Sequence, residues 1–445
     1  MKLFLYVMMS AVMLSAASCK KSEPIKAVAQ QPNLRTNDPV CQPFGWAKLI
    51  KHGDHERWSV ESQSIVVDEG NVYAVVFLAD GSNIDIDPGP GEQLVNGPAR
   101  TVVKLDASGN LLWAKAFTGQ FLPINLVIDA QHNVYLSSIT RPMISTTPSK
   151  IFTAKYTSAG SMVWYKTIDL PLNTGTAPPY ETFLGVDAQQ NVYTAGYFKN
   201  YGTDFDPGPG HVFIGFTGSP NFFVQVLNSN GDFVTVRNGG EVKVKTFSVG
   251  GNGDIYTTYS QNKLPNVVYF AKKVFNGATI KTLVYDGAQG DDVLKEARDA
   301  AGNTYIFYHR RLIKINAAGV IQWNNDLGGA YKAAMTVDPA GNTYLATDYD
   351  YPIDSRLVKI NTSGNLVYNK PYFNTKVGFD GLPYNRHTVL NVADIKVKQG
   401  KIYLTGKFYG MVDFDPGQGL GILYGIPGDI PIALNLYIVQ NNLCE

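Results

Sequence analysis

Short apolar runs of five to eight residues, separated by turn residues, repeat along this chain. Asn71-Val-Tyr-Ala-Val-Val-Phe77 is apolar enough to be covered on both faces. It is preceded by Ser64-Ile-Val-Val-Asp68 and the turn Glu69-Gly70. A third run, Thr101-Val-Val-Lys-Leu105, is joined by Asp106-Ala-Ser-Gly-Asn110 to a fourth, Leu111-Leu-Trp-Ala-Lys-Ala-Phe117. The Asp/Ser/Gly/Asn chemistry of that junction predicts a hairpin. Four antiparallel strands follow from this pattern, and the pattern recurs. A turn residue, a small or β-branched residue and a tyrosine come back at Tyr73, Tyr135, Tyr193, Tyr256, Tyr305, Tyr344 and Tyr403. Seven copies at a period of roughly 40–60 residues predict a repeat architecture.

The copies run from about 125 to 168, 182 to 238, 244 to 285, 294 to 327 and 333 to 372, with the last starting near 391. The seventh ends without a fourth strand. Phe44-Gly-Trp-Ala-Lys-Leu-Ile50 has no partner near it and matches Leu111–Phe117 and Met162-Val-Trp-Tyr-Lys-Thr-Ile168. The expected fold is therefore all-β: a seven-bladed β-propeller of four-stranded antiparallel blades, closed by an N-terminal strand that completes the C-terminal blade. Closure of this kind removes exposed sheet edges. Cys41 precedes the orphan strand and Cys444 follows the strand expected to pair with it, so a disulfide between them is expected to fasten the ring.

Residues 1–18 read as an export signal rather than as part of the fold. Lys2 precedes the apolar run Leu3–Leu14, which is short for a bilayer span, and Ala16-Ala-Ser18 leads into Cys19. This resembles a bacterial lipoprotein signal, which implies lipidation of Cys19; an ordinary secretory signal is the other reading. Residues 19–40 carry Pro24, Pro32, Gln30 and Gln31 and read as a flexible tether, leaving 41–445 for the propeller. The expected location is the bacterial cell envelope, with membrane contact through the N-terminal lipid only.

Composition adds little. The formal net charge is +1, so no basic field is present to attract nucleic acid. A monomer is expected. Glycine (43 residues) and tyrosine (26) suit short strands, tight turns and aromatic layers between sheets.

Candidate chemistry lies on the long connections between second and third strands and between blades, since the opposite turns are uniformly short. Three of the long connections carry Asp85-Ile-Asp-Pro-Gly-Pro-Gly91, Asp204-Phe-Asp-Pro-Gly-Pro-Gly210 and Asp413-Phe-Asp-Pro-Gly-Gln-Gly419. Paired carboxylates ahead of a glycine turn could ligate Ca²⁺ through Asp85, Asp87, Asp204, Asp206, Asp413 and Asp415. The reading the residues favour is a capped tight turn, with Pro setting φ and Gly supplying positive φ. Taken with Asn-Val-Tyr-x-x-Gly-x-Phe and the Gly-Asn-x-x-Trp hairpins, these loops resemble the bacterial propeller-repeat family labelled SBBP. The resemblance covers roughly residues 44–440 and implies a fold and a secreted location, with no catalytic residues to carry over.

Trp46, Trp113, Trp164 and Trp323 share one place in the repeat and are expected to pack between blades. Trp58 stands outside that register. Together with Arg57, Tyr180, Tyr384, Arg386 and His387 it makes a candidate ligand-facing set, and Asp348, Asp350 and Asp354 make a second. His52-x-x-His55 is the one histidine pair at ligand spacing. No Gly-x-Ser-x-Gly elbow, Walker loop or dinucleotide fingerprint occurs. The chain is thus expected to be a non-catalytic binding or scaffolding propeller for a protein or glycan, without a cofactor other than possible Ca²⁺. Two enzymatic alternatives remain: a secreted glycan-active hydrolase or lyase acting at the channel mouth, and a quinone-cofactor dehydrogenase.

Overall fold

The computed structural model describes residues 44–50, 60–78, 84–118, 123–140, 148–171, 181–215, 217–263, 266–275, 278–287, 294–308, 311–327, 332–348, 356–371, 389–409, 411–415, 422–424 and 435–443. All of them are strand or turn, and they build a β-propeller of four-stranded antiparallel blades. Among the described residues seven four-stranded sheets are present, numbered below as blades 1 to 7 in chain order. Two further two-stranded ribbons, Ile84–Asp85 with Leu94–Val95 and Met411–Asp413 with Ile422–Tyr424, lie within the long connections.

Blade 1 shows the local logic. Val60–Asp68, Asn71–Leu78, Ala99–Leu105 and Leu111–Thr118 pair in chain order. Its first strand starts four residues earlier than the apolar pattern indicates, because a bulge between Ser62 and Ser64 carries the pairing through polar residues. The second and third strands are almost wholly buried, as sandwiched strands require, while the fourth alternates and leaves its edge to solvent. Across the molecule the first strands Val60–Asp68, Asn125–Ile128, Phe183–Val186, Lys243–Val249, Leu294–Arg298, Lys332–Val337 and Val389–Lys398 each touch the next, and the last touches the first.

The seam between the chain ends is one sheet. Phe44–Ile50 pairs antiparallel with Asn435–Asn442, from Phe44 opposite Asn441 to Ile50 opposite Leu436, and so supplies the fourth strand of blade 7. Cys41 and Cys444, like Cys19 and the rest of residues 1–40, lie outside the described residues.

Two networks hold each blade to itself and to its neighbour. In the first, the aspartate that opens the first-to-second-strand turn serves four donors. Asp129 accepts from the Gln131 and Asn133 amides at 2.9 Å, the Asn133 side chain at 2.9 Å and the buried Tyr135 hydroxyl at 2.8 Å. Asp187 with Tyr193, Asp299 with Tyr305 and Asp338 with Tyr344 repeat the tyrosine contact. In blades 2, 3, 5 and 6 the recurring tyrosine is thus a turn anchor as well as an apolar filler. In the second, each fourth-strand tryptophan donates its indole N–H to a carbonyl in the third-to-fourth-strand hairpin of the following blade. The pairs are Trp46 to Ala107 at 2.9 Å, Trp113 to Ser158 at 3.0 Å, Trp164 to Ser229 at 3.1 Å and Trp323 to Thr362 at 3.1 Å. The hairpin glycine under each ring has positive φ and no room for a side chain: a Cβ at Gly231 would lie 2.9 Å from the Trp164 ring. These tryptophans are inter-blade packing residues.

Candidate functional site

The Asp-x-Asp-Pro-Gly loops are closed on themselves. In blade 1 the Asp85 carboxylate accepts from the Asp87 amide at 3.0 Å and the Gln93 amide at 2.9 Å, and Asp87 accepts from the Gly89 amide at 2.7 Å. Blade 3 repeats this, with Asp204 bonded by the Asp206 amide (3.1 Å) and the Val212 amide (2.9 Å), and Asp206 by the Gly208 amide (2.8 Å). In blade 7 the Asp415 amide reaches Asp413 at 3.0 Å. A Cβ on Gly91 or Gly210 would overlap the carboxylate of Asp87 or Asp206, so the second glycine makes room for the second aspartate. In blades 1 and 3 the four aspartates Asp85, Asp87, Asp204 and Asp206 act as turn caps. Among the described residues no group of three or more His, Cys, Asp or Glu side chains is arranged to hold a metal ion.

The residue between the two aspartates anchors each loop. Ile86, Phe205 and Phe414 are completely buried. The Phe205 ring sits 5.2 Å from Phe198 and 4.8 Å from Phe223, and its carbonyl accepts from the Gln225 amide group at 2.7 Å. Phe414 stands 4.8 Å from Tyr437. Pinned from below and bonded within, the loop presents an apolar residue nine positions after its first aspartate: Leu94 in blade 1 and Phe213 in blade 3, 43% and 56% exposed. In blade 3 this becomes an aromatic platform. His211 stacks on Phe213 (6.3 Å, 19° between planes) while its Nδ1 meets Asp204 at 2.7 Å, and Tyr201 on the same loop is 67% exposed. Burial pushes the Asp204 carboxyl up, but the His211 bond and the Val212 and Asp206 amides outweigh it and hold the group below the ordinary aspartate value. The signal for this platform was present in the Asp-to-aromatic spacing, which only gains meaning once the turn is seen to hold it.

A second polar cluster lies on the axial strands. Glu296 accepts from Thr246 and Ser248 of blade 4 and pairs with Arg298 at 3.1 Å, while the Arg298 guanidinium lies 3.5 Å over the Tyr256 ring. On the opposite side Asp394 accepts from the Ile65 amide at 3.0 Å and from Lys396 at 2.7 Å, tying blade 7 to blade 1. These two carboxylates are the axial candidates for acid–base work, and sequence inspection passed over both. Each is already bonded across a blade boundary. On the short-turn face, His132 (φ 64°) reaches Asp68 of blade 1 at 2.6 Å. That hydrogen bond, reinforced by the Asp68 charge, holds the imidazole above its ordinary value.

The predicted ligand set, Arg57, Trp58, Tyr180, Tyr384, Arg386 and His387, lies outside the described residues. So do His52, His55, Asp350 and Asp354. Asp348 ends the second strand of blade 6, Thr343–Asp348.

No family model matches the chain, and no curated protein matches it. Solved structures with some likeness include a protein of unknown function from Bacteroides caccae, at TM-score 0.35 and 10% identity over 61% of this chain and 89% of that one. XC5397 from Xanthomonas campestris, a gluconolactonase, aligns at TM-score 0.34 and 10% identity over 78% of this chain and 90% of its own.

Proposed function

We propose that this protein is a non-catalytic binding or scaffolding propeller of seven blades, tethered to the bacterial envelope through Cys19. Its long-loop face would hold a protein or glycan ligand. One observation carries this reading: the self-bonded Asp-Pro-Gly loops are rigid projections that expose apolar and aromatic side chains to solvent. A stacked His211–Phe213 pair with a nearby exposed Tyr201 suits the apolar face of a sugar ring or an apolar side chain of a partner. The resemblance to SBBP repeats supports a secreted location. The antiparallel register from Phe44 opposite Asn441 supports a Cys41–Cys444 disulfide, which closes a loop of about 400 residues and is worth up to roughly 5 kcal/mol in the chain-entropy model. Two free thiols in the unreduced mature protein would overturn that pairing.

The test of the binding reading is a glycan-array screen of the full mature chain beside the Tyr201→Ala/Phe213→Ala variant. Retained glycans that are lost in the variant, at an unchanged thermal midpoint, support it. Shortened glycan products in the eluate would instead favour the hydrolase or lyase reading and direct attention to Glu296 and Asp394.

A further inference from the structure

The face opposite the long loops has its own chemistry. Its turn tips are small and uncharged: Ala107, Ala130, Ala188, Ala300, Ala317 and Ala340 are all exposed. The aspartates of the same turns are drawn inward by the hydrogen bonds described above, so they place little charge at the surface. Glu69 and Asp232 are exposed exceptions, and the blade 7 turn Lys398-Gln399-Gly400-Lys401 adds two lysines, the Lys398 side chain 44% exposed.

Around this face runs an apolar rim. It forms where each fourth strand leaves its hairpin, two or three residues after the hairpin glycine. Leu112 is 52% exposed, Val163 52%, Val234 52% and Val367 50%, with Met162 and Leu366 beside them at 61% and 49%. Four blades repeat one exposed apolar position. A fourth strand buries one side chain against the next blade, and Trp113 and Trp164 do that work. The preceding side chain has no such partner in the blade and is apolar in these four blades, whereas Gly45 and Gln322 take the place in blades 7 and 5. Repetition at a fixed place on one rim differs from the scattered single apolar residues that any surface carries.

The entry point of the chain decides what this face meets. Fourth strands run away from the short-turn face, and Phe44–Ile50 is the fourth strand of blade 7, so Phe44 lies at that face. Twenty-four residues separate it from Cys19. A random-coil chain of that length would have a root-mean-square span of about 27 Å. A lipid on Cys19 would therefore hold the short-turn face, rather than the long-loop face, close to the bilayer. We infer that the short-turn face docks on the surface of the membrane that anchors Cys19. Its uncharged tips would approach the headgroups, its apolar rim would reach into the interface, and the long-loop platform would point away. This goes beyond tethering and rests on the lipoprotein reading.

The experiment reconstitutes the full lipidated chain into phosphatidylethanolamine/phosphatidylglycerol vesicles containing a phospholipid with a photoactivatable diazirine in its acyl chain. Adducts are mapped by peptide mass after irradiation. Labelling of peptides holding Leu112, Met162–Val163 and Leu366–Val367, without labelling at Leu94, Tyr201 or Phe213, is the expected result. The variant Leu112→Asp/Val163→Asp/Val367→Asp, exposed at all three sites, should lose those adducts and keep its fold by circular dichroism. Adducts confined to residues before Phe44, adducts on the long-loop face, or a concentration-dependent dimer shielding the rim would each overturn the docking. The mass of the N-terminal peptide separates the two readings. A lipidated Cys19 without rim adducts sinks only the docking, and an unmodified Cys19 sinks the anchor with it.

Discussion

Replacing Asp129 with alanine is a sharp probe of what holds a blade together. The carboxylate is 6% exposed and accepts four hydrogen bonds, two from turn amides, one from Asn133 and one from Tyr135. Losing the two amide contacts resembles removal of a helix cap, at about 1 kcal/mol. Stranding the Tyr135 hydroxyl, on a residue with no exposed surface, adds about 1–3 kcal/mol. The expected cost is about 3 kcal/mol in all. Asp129→Asn keeps an acceptor for the amides and should cost about 1 kcal/mol, and Tyr135→Phe, which leaves three donors in place, about the same. The double variant Asp129→Ala/Tyr135→Phe should then be less destabilised than the sum by roughly 1–2 kcal/mol, because the stranded hydroxyl is gone. Urea titration followed by tryptophan fluorescence reads this directly, since the Trp164 ring lies 6.2 Å from that of Tyr135. An Asp129→Ala cost below about 1 kcal/mol, or strict additivity in the double variant, would refute the claim that this aspartate is the turn's hydrogen-bond hub.

Three further outcomes follow from the same contacts. Trp46→Ala should loosen the seam, with hydrogen exchange in Phe44–Ile50 speeding up before that of any other strand, and uniform exchange would deny Trp46 its latch role. His132 gains Asp68 on folding and its folded value is raised, so its contribution is complete below the free-imidazole value of about 6.5 and fades as pH climbs through the folded value. His132→Ala should therefore lower the urea midpoint at acidic pH and converge with the parent in alkaline buffer, and a gap that ignores pH would remove the ion pair from the account. Gly210→Ala should make the 204–213 loop a protease-sensitive site, whereas Ca²⁺ added to the parent protein should give no calorimetric heat, because the aspartates already serve backbone amides.

The periodic tyrosines, the Gly-bearing hairpins and the match between Phe44–Ile50 and the other fourth strands were enough to place the repeats and the partner of the first strand. Local chemistry makes those features readable: an apolar run between turn residues has few alternatives, and a strand without a neighbour must find one across the ring. Ladder pairing then extended strands past the apolar pattern, as in Val60–Asp68 and Val389–Lys398, where polar residues are carried by the register of their partners. What the aspartates of the Asp-Pro-Gly loops do was undecided at the level of composition, because a Ca²⁺ ligand and a turn cap use the same residues. In the folded loop Phe205 is sunk between Phe198 and Phe223 and amides are aimed at both carboxylates, a turn-cap arrangement that only the tertiary structure displays. The Thr246–Glu296 and Asp68–His132 contacts were equally invisible, since each joins residues from two blades. The same holds for the apolar rim: its members lie tens of residues apart in the chain and become one surface only when every blade turns the same strand outward.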